Sequence, residues 1–265
     1  MTVIEIGYFE LALAALLLVI NGALSLLLQL GFARQLFVAA VRMAIQLFLV
    51  GLVLTQLFNR VALGWTALVA AVMIGFAGYE IMARQESKLT GIWRYGLGTV
   101  TMLITALLVT LLALTVLVRP EPWYEPRYAI PLLGMILGNA MTGISLGLNT
   151  LTTNARRERA AIEARLALGA DRWQAFSTVT RQALRAGFMP TINSMAATGL
   201  VALPGMMTGQ ILAGVNPGLA VKYQLLIMCL IGGATGSGVL MAVFGGVYRL
   251  TDSRHRLRLD RLSIV

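Results

Sequence analysis

NARRERAAIEARLALGADRWQAFSTVTRQALRAG, residues 154–187, runs without a break into FMPTINSMAATGLVALPGMMTGQILAG, residues 188–214. The first string is rich in arginine and alanine; the second is apolar and interrupted by Pro204-Gly205. Such a join reads as a helical arm outside a membrane that feeds directly into a bent helix within it. It has the character of a transmission device, with one part to be pushed and another to move.

The rest of the chain has the composition this reading requires. Of 265 residues 58% are apolar and only 12% are charged, outside the range of soluble globular domains. Several apolar runs reach the ~20 residues needed to cross about 30 Å of hydrocarbon. The fold class is therefore all-α, a polytopic integral membrane protein. The net charge of +10 would suit a nucleic-acid surface, but the basic residues lie between apolar runs, where the positive-inside bias places them. No nucleic-acid partner is expected. Cys229, the single cysteine, lies inside an apolar run and reads as a small buried hydrophobe, and no disulfide within the chain can form. The single histidine, His255, excludes a His-built metal site within one chain. The start, MTVIEIGYFE, has acids and no basic region before its apolar run, so a cleaved signal peptide is not expected.

Apolar runs set against breakers and charges predict seven spans, at about 8–30, 36–58, 62–82, 96–118, 128–148, 189–213 and 219–248. One set of connecting ends carries Arg34; Arg84, Lys88 and Arg94; the arginines from Arg156 to Arg185; and Arg249 to Arg261. The other set carries only Arg60, Arg119, Arg127 and Lys222, mixed with Glu5, Glu10, Glu121 and Glu125. The arginine-rich set is expected in the cytoplasm, with the N-terminus outside and the C-terminus inside.

A few polar residues fall within the apolar runs. Arg42 and Gln46 share a face of the second span, close enough to its end for snorkelling or a bond to a neighbouring helix. Glu80 reads either as an i,i+4 partner of Arg84 or as an interhelical partner of Arg42, or as a substrate or proton site. The loop RPEPWYEPRY, residues 119–128, looks like an external turn with Trp123 and Tyr124 at the interface. In the fifth span, Gly134-xxx-Gly138 and Gly143-xxx-Gly147 allow close helix approach. Asn139, Thr142 and Asn149 make one of its faces polar, through interhelical hydrogen bonds or as the lining of a pathway.

The arm itself reads as two helices. The alanines and charges of 155–169 favour helix; Gly169 supplies a C-cap, and Asp171 with Gln174 a capping box for the next helix. That second helix carries Gln174, Thr178, Arg181 and Arg185 on one stripe and Trp173, Phe176, Val179 and Ala183 on the other side. The pair could lie on the membrane surface or form a docking face for a soluble partner. The sixth span is expected to open at Pro190 and to bend at Pro204, which removes the bond to the Leu200 carbonyl. Met206, Met207, Thr208 and Gln210 surround that bend, with Met206 and Gln210 on one face. A broken helix at membrane depth suits substrate contact or gating, although membrane methionines are also ordinary packing. The seventh span, with Gly232-xxx-Gly236, should pack tightly, a second copy of the chain being one candidate for the partner, and the basic tail is placed to touch anionic lipid.

Several chemistries have nothing to stand on. No Gly-Lys pair exists for a P-loop, since Lys88 follows Ser87 and Lys222 follows Val221. HExxH and cysteine pairs are missing too, so the chain is not expected to be an enzyme.

The strings MTGISLGLN, EARLALGA, TRQALRAGFMPTINSM, GLVALPGMMTGQILAG and AVKYQ, between Met141 and Gln224, resemble the FetB family. These are membrane subunits of ABC transporters described as iron exporters and related to plant aluminium-tolerance membrane proteins. Glu163-Ala164, with Gly169 six residues after Glu163, also resembles in part the EAA loop that docks ABC importers onto their ATPase. The resemblance implies a single permease domain over residues 1–265, with a coupling segment at 150–188 and a basic cytoplasmic tail at 249–265. It implies a homodimer in the inner (plasma) membrane that works with two copies of a separate ATPase. ATP and magnesium would be held there, with no cofactor on this chain. The implied coupling residues are Glu163, Gly169, Ala170, Asp171, Arg172, Trp173, Arg181 and Arg185. Asn139, Thr142, Asn193, Pro204, Gly205, Met206, Met207 and Gln210 are the candidates for pathway and gate, and Glu80, Met206 and Met207 for metal contact. Iron prefers oxygen and nitrogen ligands, whereas thioethers suit a softer ion, so iron export follows from the resemblance alone. The competing readings are an ATP-independent carrier or channel for a small solute, and a membrane scaffold.

Overall fold

The computed structural model describes residues 7–59, 61–252 and 254–264. Glu5 and Arg60, two of the orienting charges, lie outside them. The chain forms two compact units, Met1–Val61 and Ala62–Val265. The first is a helical hairpin of α1 (Tyr8–Leu27) and α2 (Ala33–Asn59), turned through left-handed backbone at Gln29 and Gly31.

The second unit holds α3 (Leu63–Ala83), α4 (Trp93–Leu112, continued by a π-helical turn at Ala113–Val118) and α5 (Pro126–Arg157). The short helices α6 (Arg159–Ala167) and α7 (Arg172–Ala175) follow, then α8 (Ser177–Ala197), α9 (Gly205–Leu212) and α10 (Pro217–Arg249). A two-stranded ladder pairs β1 (Ser87–Leu89) antiparallel with β2 (Leu262–Ile264), Lys88 opposite Ser263. Among the described residues six helices are long and apolar enough to cross a membrane: α1, α2, α3, α4 with its π turn, α5 and α10.

In the second unit α5 and α10 are the central pair. Helices α4 and α8 each pack against both, and α3 packs against α4 and α5. Lipid tails are as apolar as leucine, so close packing must hold such helices together, and small residues supply it. A Cβ on Gly143 would stand 2.9 Å from the carbonyl oxygen of Gly187, and one on Gly187 would stand 2.8 Å from that of Gly143. Both would also press on Val239. The predicted close approach at Gly143-xxx-Gly147 is thus an α5–α8–α10 junction.

Four expectations need correction. The glycines of Gly232-xxx-Gly236 are covered within the chain, by Met195 and Phe188 of α8, and are not held open for a second copy. Cys229 is exposed, because the buried stripe of α10 runs through Ile227, Leu230 and Ile231. The stretch 189–213 is not a single kinked helix. Helix α8 already begins at Ser177, carries Pro190 in its interior and stops at Ala197. Gly199, at φ +95°, turns the chain, and its N–H donates to the Ala202 carbonyl at 2.9 Å. Leu203 precedes a proline and is thereby pushed out of helical conformation; Pro204 is then the extended N-cap of α9. The break spans several residues where a simple bend was expected. Helix α5 also outruns its expected end near Leu148, continuing to Arg157 because residues 149–157 contain neither glycine nor proline.

Candidate functional site

The arm is pinned at its base and bare at its tip. Ile162, Ala175, Phe176 and Val179 are buried in the core. At the tip α6 ends in a Schellman motif: the Gly169 N–H donates to the Leu166 carbonyl and the Ala170 N–H to that of Arg165, both at 3.1 Å. Gly169, at φ +91°, makes that reversal possible. Asp171 then caps α7 in a full capping box with Gln174, as its spacing predicts. Leu168 stands between the two helices at 88% exposure, a large hydrophobe aimed away from the protein. Glu163 is exposed and ion-paired with Arg159 at 2.8 Å.

The eight residues expected to couple therefore separate. Glu163, Gly169 and Asp171 are exposed around the tip with half-buried Ala170, and Arg181 and Arg185 are exposed on α8. Arg172 and Trp173 turn toward α10 instead. Trp173 meets Phe244 edge-on at 5.5 Å, and the Arg172 guanidinium lies 5.2 Å above the Tyr248 ring. Arg172 is also engaged by the tail, donating from its side chain to the Asp252 carbonyl and from its N–H to Nδ1 of His255, both at 3.2 Å.

Sequence reasoning missed that docked tail. Oδ1 of Asp252 accepts from the backbone N–H groups of Arg254 at 2.9 Å and Arg256 at 2.8 Å, closing a turn. The Arg256 N–H holds the Asp252 carboxyl below its ordinary range. Arg156 donates to the Leu262 carbonyl at 3.2 Å, and the Glu86 N–H donates to Oδ1 of Asn149 at 3.0 Å. The tail, the 84–94 loop and the arm thus meet at one end of this unit, as their shared arginine content suggested. An aspartate two and four residues ahead of the amides it caps was the available signal.

At the opposite end lies a cavity of about 290 Å³. Met206 and Gln210 of α9, Met135 and Tyr128 of α5, Tyr223 of α10 and Val118 of the π turn line it. Oε1 of Gln210 is buried without a hydrogen-bond partner, so the cavity wall contains an acceptor that a donor or a cation could satisfy. The predicted shared face of Met206 and Gln210 is what brings them here. Met207 is half-buried outside this lining, and Asn193 is exposed on α8. Asn139 and Thr142 spend their donors on their own helix, at the carbonyls of Met135 (2.8 Å) and Gly138 (3.0 Å). Pro204 accepts from the Thr208 hydroxyl at 3.2 Å, and Gly205 opens α9.

Glu80 pairs with Arg84 at 3.5 Å on its own helix and does not line the methionine cavity. Among the described residues no cluster of three or more His, Cys, Asp or Glu could hold a metal ion. A metal crossing here would be met by thioether, amide and phenol groups, with the Arg127 side chain also in the wall.

The helices and the two-ended polarity define a multi-pass membrane protein. Over residues 8–251 the sequence matches the uncharacterised protein family UPF0014, and the chain belongs to that family. It is 38% identical over 242 residues to the UPF0014 membrane protein slr1647 of Synechocystis, covering 89% of this chain and 91% of that one. It is 31% identical over 254 residues to the "Probable iron export permease protein FetB" of Escherichia coli, covering 96% of each. The Arabidopsis protein ALUMINUM SENSITIVE 3 is 32% identical over 234 residues, covering 88% of this chain and 84% of that one. No solved structure matches. The family match and the apolar helices make this a multi-pass membrane protein, similar over nearly its whole length to a protein named as a probable permease.

Proposed function

We propose that this chain is the permease subunit of an ABC transporter that carries metal ions outward across the inner membrane, with iron as the cargo suggested by its FetB relative. Two copies of the chain would pair, and two copies of a separate ATPase would dock at the tips of their arms. There ATP and magnesium would be bound and consumed. The arginine-rich end is the cytoplasmic one in this reading, and the broken α8–α9 pair supplies a seventh crossing beside α5 and α10. One observation carries it: a rigidly capped helical turn presents Leu168 almost fully exposed, between Glu163 and Asp171, on a base anchored in the core. An apolar knob with a polar rim is the usual form of an interface centre. Force on that tip passes into α8, because Phe176 and Val179, which open it, are core residues. From α8 it reaches the non-helical link at 198–204 and then Met206 and Gln210 on the cavity.

The test is copurification with a P-loop ATPase subunit expressed alongside. The wild-type chain should retain the ATPase, and Leu168→Glu and Glu163→Lys should each release it while keeping a monodisperse membrane subunit. Ion-gradient-driven flux from proteoliposomes holding this chain alone would overturn the proposal in favour of an ATP-independent carrier.

A further inference from the structure

A second cavity, of about 460 Å³, lies where arm, tail and α10 meet. Four guanidiniums line it, those of Arg172, Arg249, Arg258 and Arg261, against a single lining carboxylate, Asp252. That carboxylate is already engaged, since its Oδ1 accepts from the backbone N–H groups of Arg254 and Arg256. Arg258 is held in place by Asp260 through two bonds of 2.8 Å, and Arg261 by the carbonyls of Arg249 at 2.7 Å and Thr251 at 3.2 Å. Nε of Arg249 is buried and has no hydrogen-bond partner. Four guanidiniums thus face two carboxylates, Asp252 and Asp260, and the excess of like charge around a partly enclosed space is repulsive unless a further anion joins it. Guanidinium forks match phosphate oxygens in geometry and charge.

The cavity's level in the molecule narrows the source of that anion. Arg249 lies 5.5 Å above the ring of Trp93 and Arg172 lies 5.2 Å above that of Tyr248. Trp93 opens α4 and Tyr248 falls in the last turn of α10, both helices long and apolar enough to cross a membrane. Both rings are partly exposed. Aromatic rings at span ends mark the headgroup layer, and basic pockets between such helices take lipid phosphates. We propose that this cavity binds a phosphate group, supplied by an anionic phospholipid headgroup. A phosphate held there bridges the arm (Arg172), α10 (Arg249) and the tail (Arg258, Arg261) and fixes the arm's base. The site depends on these contacts alone, whatever docks at the arm's tip.

The experiment uses the purified full chain in neutral detergent, with binding followed by native mass spectrometry and by melting temperature. The probes are phosphatidylglycerol, phosphatidylcholine and inorganic phosphate. Phosphatidylglycerol should bind and raise the melting temperature, and phosphatidylcholine should not. Arg249→Gln with Arg258→Gln should weaken phosphatidylglycerol at least about tenfold, the loss expected for charge-assisted bonds. Arg249→Lys with Arg258→Lys should restore part of it. A control pair, Arg181→Gln with Arg185→Gln, removes the same charge from the exposed face and should bind as the wild type does. If inorganic phosphate alone gives the full shift, the site stands and the lipid source is overturned. Equal binding by the Gln pair and the wild type, or equal loss in the control pair, overturns the site itself. Should the Gln pair fail to fold, Arg258→Gln alone decides by the same comparison.

Discussion

Gly169 shows how much a single position can decide. Nothing lies within 4 Å of where its Cβ would stand, yet its φ is +91°. An alanine there meets no clash, and its cost is backbone strain alone, about 1–2 kcal/mol. Gly169→Ala should therefore open the Schellman turn without disturbing the core. The expected result is faster hydrogen exchange at the Ala170 amide, with an almost unchanged global melting temperature. Unaltered exchange would mean that the turn is not held by that conformation. This position and the Asp171–Gln174 capping box were legible in the sequence because their physics is local, a backbone angle and a bond reaching three residues. Cys229 was not legible, since its helix is apolar all round and only the neighbours decide which side is covered.

Among the elements, α8 departs furthest from its sequence reading. Its buried stripe of Val179, Ala183, Gly187 and Thr191 repeats at helical spacing and lies against α5 and α10. At Gly187 the obstruction to a side chain includes backbone, the Gly143 carbonyl oxygen, which cannot swing aside. Gly187→Val should destabilise the chain by about 1–3 kcal/mol through overpacking, read as a fall in melting temperature. Gly233→Ala is the matched control, as nothing lies within 4 Å of its Cβ position, and helix propensity predicts a neutral or slightly favourable effect. If both substitutions behave alike, the close α5–α8 approach is not what holds the bundle. The arm and the sixth span were expected to meet at Pro190. The structure merges them: α8 runs through Pro190 while packing against α5 and α10, and a membrane helix tolerates a proline where its neighbours satisfy the backbone groups it frees.

For the whole molecule, the docked tail has a pH signature. The bond from Arg258 holds the Asp260 carboxyl down at about 2, and that from the Arg256 N–H lowers Asp252. Folded-state values below the ordinary 3.8 mean that both carboxylates stabilise the docked tail above that pH. Their contribution fades as pH falls from about 4 toward about 2. Apparent melting temperature should fall through that window, and less steeply in Asp252→Asn and Asp260→Asn, which begin lower. Parallel curves for all three proteins would show the tail is not held by these groups. The sequence by itself determined the membrane class, the main spans, the two-ended charge and the caps of the arm. Each follows from residues near in sequence, through hydropathy over one span or bonds across one turn. Only the tertiary structure decided that 189–213 is broken, that Gly232 and Gly236 are covered from within the chain, and that the tail binds the arm. It also decided that Met206 and Gln210 share a wall with Met135 and Tyr223, and that four arginines enclose one space. Those outcomes depend on which surfaces meet across long stretches of chain, and in an apolar solvent many surfaces are equally apolar, so shape rather than hydropathy selects among them.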